Sequence, residues 1–259
     1  MEEVAQFERI EQATLDALRE IGTATIAGAL SKGAGIRNPH LVGLSPFNPG
    51  VTVCGQAVTL QFMPKREDVH WGDEYAAAPE RELHRRAIMA CQPGDIIVVD
   101  ARGSMSSGVF GEMMLTSFKA QGGEGVVIDG CIRDFPEVKK LDLGLWLRGV
   151  TPNFHTQTDI FPHALNVPIA CAGCFIVPGD IIVADDDGAV VLPFALADQI
   201  AEIASAKTEW EVFSRMKLEE GGRLDKYYPL SDEAREEYKA WLREDSTPPA
   251  APPQSVREG

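Results

Sequence analysis

The chain has 259 residues, of which 44% are hydrophobic and 24% are charged, and its formal net charge is -15. This length allows one large domain with a sizeable core, and the acidic balance argues against a nucleic-acid-binding role, which needs clustered Lys and Arg. No apolar run approaches the ~18 residues of a membrane-spanning helix. The acidic start, MEEVAQFERIEQ, also lacks the apolar segment of a signal peptide. We therefore expect a cytoplasmic protein that does not bind a membrane.

The first third of the sequence predicts two helices with a long strand between them. Apolar residues three and four apart in FERIEQATLDALREIGTATIAGAL (7–30) predict a helix. The β-branched, alternating stretch VTVCGQAVTLQFM (51–63) predicts a strand. After a polar, irregular stretch that we interpret as a surface excursion, RELHRRAIMAC (81–91) resumes helical spacing.

A strand–helix–strand pattern follows and indicates the fold class. PGDIIVVDARG contains an apolar strand at 96–99, and GVFGEMMLTSFKAQGG predicts a helix from about Glu112 to a Gly122-Gly123 stop. EGVVIDG is a second apolar strand, which we expect to end in a turn at Asp129-Gly130. Continuous apolar strands joined by a helix indicate a βαβ unit in a parallel sheet buried on both faces. DLGLWLRGVTPNF (142–154) predicts another strand.

The rest of the chain predicts a hairpin and two helices. In VPGDIIVADDDGAVVLP (177–193), Asp187-Gly188 separates two apolar runs and indicates a β-hairpin. Residues 194–222 and 231–245 have helical spacing, and the end is rich in proline. We therefore predict one α/β domain over residues 1–217, a helical C-terminal extension over 218–246 and a flexible tail over 247–259.

The five cysteines do not suggest a disulfide framework. Cys171 and Cys174 have C-x-x-C spacing, but they lie in the apolar run VPIACAGCFIV without a second pair or a nearby His. We interpret them as buried, unreactive thiols, with a metal or redox pair as the alternative.

Two loops leave the carboxyl ends of the predicted parallel strands, where ligands of such sheets bind. The glycine-rich DARGSMSSGVFGE leads into the helix at Glu112, whose first N–H groups are available to a carboxylate or phosphate, although an ordinary tight connection fits equally. In the second loop, Asp134 either caps the helix begun at Phe135 or supplies a carboxylate to a divalent cation. In the latter case, the adjacent Arg133 stabilises an oxyanion, and Glu112 orients water around the cation. Both interpretations stay open on spacing alone.

The stretches GVFGEMMLTSFKAQGGEGVVIDGCIRD and VPGDIIVADDDGAVVLP resemble the RraA-like proteins. That family includes metal-dependent aldolases that cleave 4-hydroxy-4-methyl-2-oxoglutarate and decarboxylate oxaloacetate, and also the regulator of ribonuclease activity A. The resemblance covers about Leu18 to Pro193, and its combination of G-E-x-x, D-G-x-x-R-D and P-G-D…D-D-D-G is specific. It implies a layered α-β-β-α, swivelling-type domain that forms a homotrimer or hexamer, with sites between subunits.

The resemblance also implies roles for individual residues. Gly111, Glu112, Met113 and Met114 match the loop whose backbone amides hold a pyruvate carboxylate. Arg133 matches the arginine that contacts the keto oxygen, Asp134 matches the one direct protein ligand of Mg²⁺ or Mn²⁺, and Glu112 matches the acidic residue that binds the metal's water. The implied function is cleavage or decarboxylation of a 2-oxo acid through a metal-stabilised pyruvate enolate.

Two alternatives to this lyase come from the same family. One is a non-catalytic regulator that binds a ribonuclease or another protein partner. The other is methyltransferase activity, which we disfavour because no adenosyl-binding fingerprint follows the first strand. Departures from the family pattern concern the substrate: the long 64–84 stretch, with His70, Trp71 and His84, and the C-terminal extension are both extra. We consider His70 as a proton donor and His155 as a neighbour of the site, against the alternative that both are ordinary loop residues.

Overall fold

Eight α-helices lie within residues 6–66, 68, 82–154 and 159–245, the ranges that this computed structural model describes. They are α1 (Gln12–Ile21), α2 (Thr23–Gly33), α3 (Leu83–Ala90), α4 (Glu112–Ala120), α5 (Phe135–Val138), α6 (Ala197–Glu219), α7 (Leu224–Tyr227) and α8 (Asp232–Asp245), with a 3-10 turn at Phe194–Leu196. The helices predicted near residues 81–91, 112–121, 194–222 and 231–245 are confirmed. None of these described helices is both long and apolar enough to cross a membrane.

The single helix predicted for residues 7–30 is wrong, because two helices occupy this stretch. Gly22 has φ +82°, in the left-handed region that favours glycine, and it separates α1 from α2. Asp185 then satisfies the start of α2, since its carboxylate accepts hydrogen bonds from the Thr23 N–H at 2.8 Å and from the Thr23 hydroxyl at 2.7 Å. The apolar spacing continues through the break, which is why periodicity alone did not reveal it.

Ten strands form a mixed sheet and a separate hairpin within the described residues. They are β1 (Ser45–Pro46), β2 (Val53–Pro64), β3 (Ile96–Gly108), β4 (Gly125–Ile132), β5 (Gly144–Val150), β6 (Ile160–Leu165), β7 (Ile169–Cys171), β8 (Cys174–Ile176), β9 (Ile181–Asp185) and β10 (Gly188–Leu192). The main sheet runs β1-β5-β4-β3-β2-β9-β10, with β6 also paired to β2, and β2 to β5 are parallel neighbours. The predicted β3-α4-β4 unit and the β9–β10 hairpin are therefore confirmed.

Three apolar clusters separate four layers of secondary structure. The first lies between α3–α5 and one face of β2–β5, and the second lies between the other face of these strands and the β7–β10 strands. The third lies between the outer face of β9–β10 and α1, α2 and the start of α6. The long strand β2 joins the two sheet layers, because Val53–Gln56 pairs with β9 and Ala57–Gln61 pairs with β3. The α-β-β-α layering that the resemblance implied is thus confirmed.

Two connections differ from the sequence interpretation. The stretch after Val99, predicted as a loop, continues as strand β3 to Gly108 with two register shifts, because positive φ angles at Arg102 and Gly103 bend the chain and let it pair again with β4. Asp129-Gly130 is no turn but an interior part of β4. Gly130 is required there by crowding, since a Cβ would lie 2.7 Å from the Ala101 Cβ.

The C-x-x-C segment forms the β7–β8 hairpin, in which Cys171 and Cys174 are paired neighbours. Both cysteines are free and buried, and burial raises the pKa of each thiol, with Cys171 well above its usual value. Among the described residues, no group of three or more His, Cys, Asp and Glu side chains is arranged to hold a metal. The predicted burial of both thiols is confirmed, and their lack of reactivity stays a prediction.

The chain divides into two compact units, residues 1–205 and 206–259. The sequence interpretation had placed the end of the main domain at Lys217, within the same long helix α6. The second unit has a small core of its own, in which Phe213, Tyr227, Leu230 and Ala234 are buried. Its Phe213 ring lies 5.6 Å from Tyr238 and 5.7 Å from Trp241, centroid to centroid. The predicted Pro-rich tail, 247–259, lies outside the described residues.

Candidate active site

The glycine-rich connection from β3 to α4 is fastened to the end of strand β4. The Val109 N–H donates to the Cys131 carbonyl at 2.9 Å, and the Arg133 N–H donates to the Phe110 carbonyl at 3.0 Å. At Gly108 a Cβ would lie 2.6 Å from the Asn153 carbonyl oxygen and 2.9 Å from the Arg133 Cβ, so only glycine allows the two segments to approach this closely. The backbone therefore brings the two predicted site loops together.

Arg133 and Asp134 meet at the N-terminus of helix α4. Asp134 Oδ2 lies 3.5 Å from the Arg133 Nε, and it accepts a hydrogen bond from the Glu112 N–H at 3.2 Å. The guanidinium carbon of Arg133 also lies 5.7 Å from the centre of the Phe154 ring, within range of a cation–π interaction. The two side chains are 41% and 44% exposed, so a ligand can reach them from solvent.

Asp134 has the left-handed backbone conformation, with φ +58° and ψ +29°. It occupies the cap position of α5, as one interpretation expected, but its side chain makes no cap hydrogen bond to that helix. The carboxylate turns instead to the start of α4. A strained conformation that aims a carboxylate away from its own helix is typical of a functional residue.

Gly111 lets the charged pair lie against the backbone. A Cβ here would lie 2.7 Å from Asp134 Oδ2 and 2.9 Å from the Arg133 Nε. Its φ of -113° and ψ of 177° are extended backbone open to any residue, so the requirement for glycine comes from proximity and not from the backbone conformation. Any side chain at this position would displace the two predicted functional groups.

The remaining predicted residues occupy the first turn of α4, whose leading N–H groups have no acceptor within the helix. Met113 and Met114 line a cavity with Gly111, Arg133 and Asp134. Glu112 contributes its backbone N–H, whereas its carboxylate accepts a hydrogen bond from the Thr116 hydroxyl at 3.1 Å and does not line this cavity. His70, Trp71 and His155, considered from the sequence, lie outside the described residues.

The cavity has a volume of about 320 Å³, which suits a small organic acid. Its described lining residues are Glu82, His84, Arg85, Gly108, Val109, Gly111, Met113, Met114, Arg133, Asp134 and Phe154. Sequence reasoning missed Glu82 and Arg85 as site residues. Their i,i+3 spacing at the start of a helix is compatible with an ion pair, but no sequence signal shows what such a pair would face.

Glu82 and Arg85 form a hydrogen-bonded charged group together with His84. The Arg85 Nε donates to Glu82 Oε2 at 2.8 Å, and the His84 Nε2 lies 3.1 Å from the same oxygen. Burial acts to raise the pKa of Glu82, but hydrogen bonding and charge attraction from His84 and Arg85 outweigh it, so that the pKa is lowered. Glu82 is therefore an anion at neutral pH and accepts the hydrogen bond from the Arg85 guanidinium.

Asp129, in the same sequence stretch as Arg133, serves the scaffold. Its Oδ1 pairs with the Arg148 Nε, and its Oδ2 accepts a hydrogen bond from the Ala172 N–H at 3.1 Å. These contacts join strands β4 and β5 to the β7–β8 hairpin. Asp129 thus has a structural role, and the cavity-lining carboxylate of this stretch is Asp134.

Comparison with known proteins gives concordant matches. Residues 23–191 match the family model described as "RraA-like: Aldolase/RraA". A protein of Halalkalibacterium halodurans named "Putative 4-hydroxy-4-methyl-2-oxoglutarate aldolase" is 34% identical over 76% of this chain and 86% of its own length. The structure of Streptomyces coelicolor RraAS2, described as an unusual member of the RNase ES inhibitor RraA protein family, is 41% identical, with a TM-score of 0.72 over 81% of this chain and all of that one. An uncharacterized protein from Pseudomonas syringae is 28% identical, with a TM-score of 0.71 over 85% and 99% of the two chains.

Proposed function

The chain belongs to the RraA-like family, and from this premise we propose that it is a divalent-metal-dependent lyase acting on a 2-oxo acid. The proposed reaction is aldol cleavage or decarboxylation through a pyruvate enolate, as for 4-hydroxy-4-methyl-2-oxoglutarate or oxaloacetate. The observation that carries the proposal is the convergence of Arg133 and Asp134 on the open N-terminus of helix α4 in one cavity. That arrangement combines a cation ligand, an oxyanion partner and a carboxylate-binding helix end.

Asp134 is the residue that would hold Mg²⁺ or Mn²⁺. Its Oδ2 accepts the Glu112 N–H, and no described residue gives its Oδ1 a hydrogen bond, so one hard oxygen is available to a cation. Because the described residues contain no larger cluster of metal-binding side chains, the donor set fits a cation that keeps most of its waters, as Mg²⁺ does. When bound, such a cation supplies Lewis-acid stabilisation of negative charge on the substrate oxygens.

The chain's own residues would bind and orient the 2-oxo acid. The N–H groups in the first turn of α4, around Met113 and Met114, are suited to the C1 carboxylate. Arg133 is suited to the C2 keto oxygen, on which the electron pair of the breaking C3–C4 bond accumulates as the enolate forms. Oxaloacetate loses C4 as carbon dioxide, whereas the aldol substrate gives its C4 hydroxyl proton to a water molecule and loses C4 as the carbonyl carbon of a second product. A proton then returns to C3 to give pyruvate. Glu112, whose carboxylate lies outside the cavity lining, would act in this transfer through a water molecule bound to Oε2, because Thr116 occupies only Oε1.

A second candidate is inhibition of a ribonuclease without catalysis. It is favoured by the 41% identity to RraAS2, which is described as belonging to the RNase ES inhibitor family. Such a role depends on surface contacts with the ribonuclease and needs neither Arg133 nor Asp134.

Metal-dependent pyruvate release from oxaloacetate distinguishes the two functions. The protein is treated with chelator, and turnover is measured with and without Mg²⁺ or Mn²⁺, after subtraction of the rate given by the metal alone. We expect metal-dependent turnover that Arg133→Ala and Asp134→Asn abolish without loss of folded structure by circular dichroism. Arg86→Met is the matched control, because Arg86 lies in α3 but does not line the cavity. Turnover no faster than the metal alone, for oxaloacetate and for 4-hydroxy-4-methyl-2-oxoglutarate, would refute the lyase and favour inhibition of a ribonuclease.

A further inference from the structure

One wall of the cavity comes from the start of helix α3 and carries a guanidinium that the proposed reaction does not use. Arg85 donates to Glu82 through Nε alone, so its two terminal NH₂ groups have no acceptor among the described residues. Glu82 is 12% exposed and His84 3% exposed, whereas Arg85 is 54% exposed. A half-buried carboxylate and a buried imidazole thus hold a guanidinium that remains accessible to a ligand.

The charges of the cavity favour a doubly negative ligand. Among the described lining residues, the carboxylates of Glu82 and Asp134 are matched in number by the guanidinium groups of Arg85 and Arg133. A divalent cation on Asp134 would leave two positive charges to be neutralised. Since the whole chain has a formal net charge of -15, a dianion is repelled at long range, and its capture depends on such local positive groups.

We propose that Arg85 is a specificity-determining residue that binds the distal carboxylate of a 2-oxo dicarboxylate. Glu82 and His84 are positioning residues, which hold the guanidinium at the cavity wall. This inference rests on the proposed function for the orientation of the ligand, whose 2-oxo acid end lies at Arg133 and the start of α4. Arginine suits the distal carboxylate because its planar terminal NH₂ groups can donate two parallel hydrogen bonds.

A matched pair of unreactive ligands tests the distal subsite apart from catalysis. 2-Oxoglutarate and 2-oxopentanoate have the same number of carbons and the same 2-oxo acid end, and they differ in a terminal carboxylate against a terminal methyl group. Neither has a carboxylate or a hydroxyl group placed for loss of the C4 fragment. Their dissociation constants are measured by calorimetry with the Mn²⁺-supplemented full chain. We expect 2-oxoglutarate to bind about 10- to 100-fold more tightly, the range given by a charge-assisted hydrogen-bonded pair.

The Arg85→Met variant should reduce this ratio to about one, and Arg85→Lys should restore part of it, since a lysine keeps the charge without the planar pair of donors. Arg86→Met is the control: it removes the same charge one position along α3, outside the cavity lining. An unchanged ratio in Arg85→Met refutes the inference. An equal fall in Arg86→Met also refutes it, because the effect would then be one of long-range charge. A wild-type ratio near one refutes it as well.

A separate experiment tests the proposed lyase function. Exchange of the pyruvate methyl protons with D₂O reports enolate formation and involves no distal carboxylate. If wild-type protein binds 2-oxoglutarate much more tightly than 2-oxopentanoate but does not catalyse exchange of the pyruvate protons, the distal subsite is supported and the lyase function is refuted. If the protein catalyses exchange of the pyruvate protons but binds the two ligands equally tightly, the lyase function is supported and the distal subsite is refuted.

Discussion

Replacement of Gly111 by alanine should separate activity from stability. The added methyl group would lie 2.7 Å from Asp134 Oδ2 and 2.9 Å from the Arg133 Nε, whereas ordinary contact begins at 3.4 Å. The carboxylate must therefore move by about 0.7 Å, the difference between 3.4 and 2.7 Å. Displacements of ~1 Å from productive geometry can cost about 100-fold in rate. We expect kcat/KM for oxaloacetate to fall by about 10- to 100-fold.

The same substitution should leave the fold nearly as stable as before. The displaced side chains are 41% and 44% exposed and can move outward. Loss of glycine at a helix N-cap costs up to about 1 kcal/mol, and the reduced freedom of the unfolded chain returns about 0.4–1 kcal/mol. For a protein of this size, 1 kcal/mol corresponds to about 2–4 °C. We therefore expect the Tm to change by less than about 4 °C.

Gly28→Ala is the matched control for this experiment. Gly28 lies inside α2, and a Cβ there would meet no atom within 4 Å, so the change should stabilise the protein by about 0.5–1 kcal/mol and leave kcat/KM unaltered. Metal-dependent kcat/KM within twofold of wild type in a folded Gly111→Ala variant would contradict the reasoning. So would a loss of folding that the contacts of Gly111 do not explain.

Three further predictions concern other parts of the chain. Asp134→Asn should keep the Tm, because asparagine tolerates the left-handed conformation, but should weaken Mn²⁺ binding at least about 10-fold in a calorimetric titration; binding of wild-type strength would exclude Asp134 as the ligand. Arg9→Met should lower the free energy of unfolding in urea by about 1–3 kcal/mol, because it leaves the buried carboxylate of Asp95 without its ion pair; an unchanged midpoint would show that the pair contributes nothing. Burial raises the pKa of Cys54 to about 12, so at pH 8 this thiol should react with a disulfide reagent only after unfolding, and rapid labelling of the native protein, mapped by mass spectrometry, would contradict its burial.

The parts of this structure that follow from local pattern could be predicted from the sequence. The apolar strands around Ile97 and Val127, with a helix between them, require a parallel pair with its carboxyl ends together. That geometry alone places the β3–α4 connection beside Arg133. The pattern could not reveal where a strand ends, because the Ala101 contact that requires Gly130 comes from a neighbouring strand. The break at Gly22 was equally hidden, since the apolar spacing is maintained across it.

The α3 wall of the cavity could not be predicted for a different reason. The i,i+3 spacing of Glu82 and Arg85 is the same whether the pair lies in solvent or at a ligand. What makes the pair part of the site is the packing of α3 on the same face of the sheet as α4. This depends on how two successive crossovers stack, a long-range property that no window of sequence contains.

The positions that break local rules themselves argue for a functional site. Within the described ranges, positive φ occurs at four residues other than glycine: Arg102, Asp134, Asn166 and Ala172. The bend in β3 accounts for Arg102, the connection from β6 to β7 contains Asn166, and the two-residue β7–β8 turn accounts for Ala172. Asp134 differs because its carboxylate makes no cap hydrogen bond to its own helix and accepts the Glu112 N–H of another helix instead. The strain, of order 1 kcal/mol or more, is offset by the Glu112 N–H and Arg133, both of which need a backbone without a side chain at Gly111. A packing role does not require so many coupled exceptions, whereas a charged pair that must present its free oxygen to a ligand does.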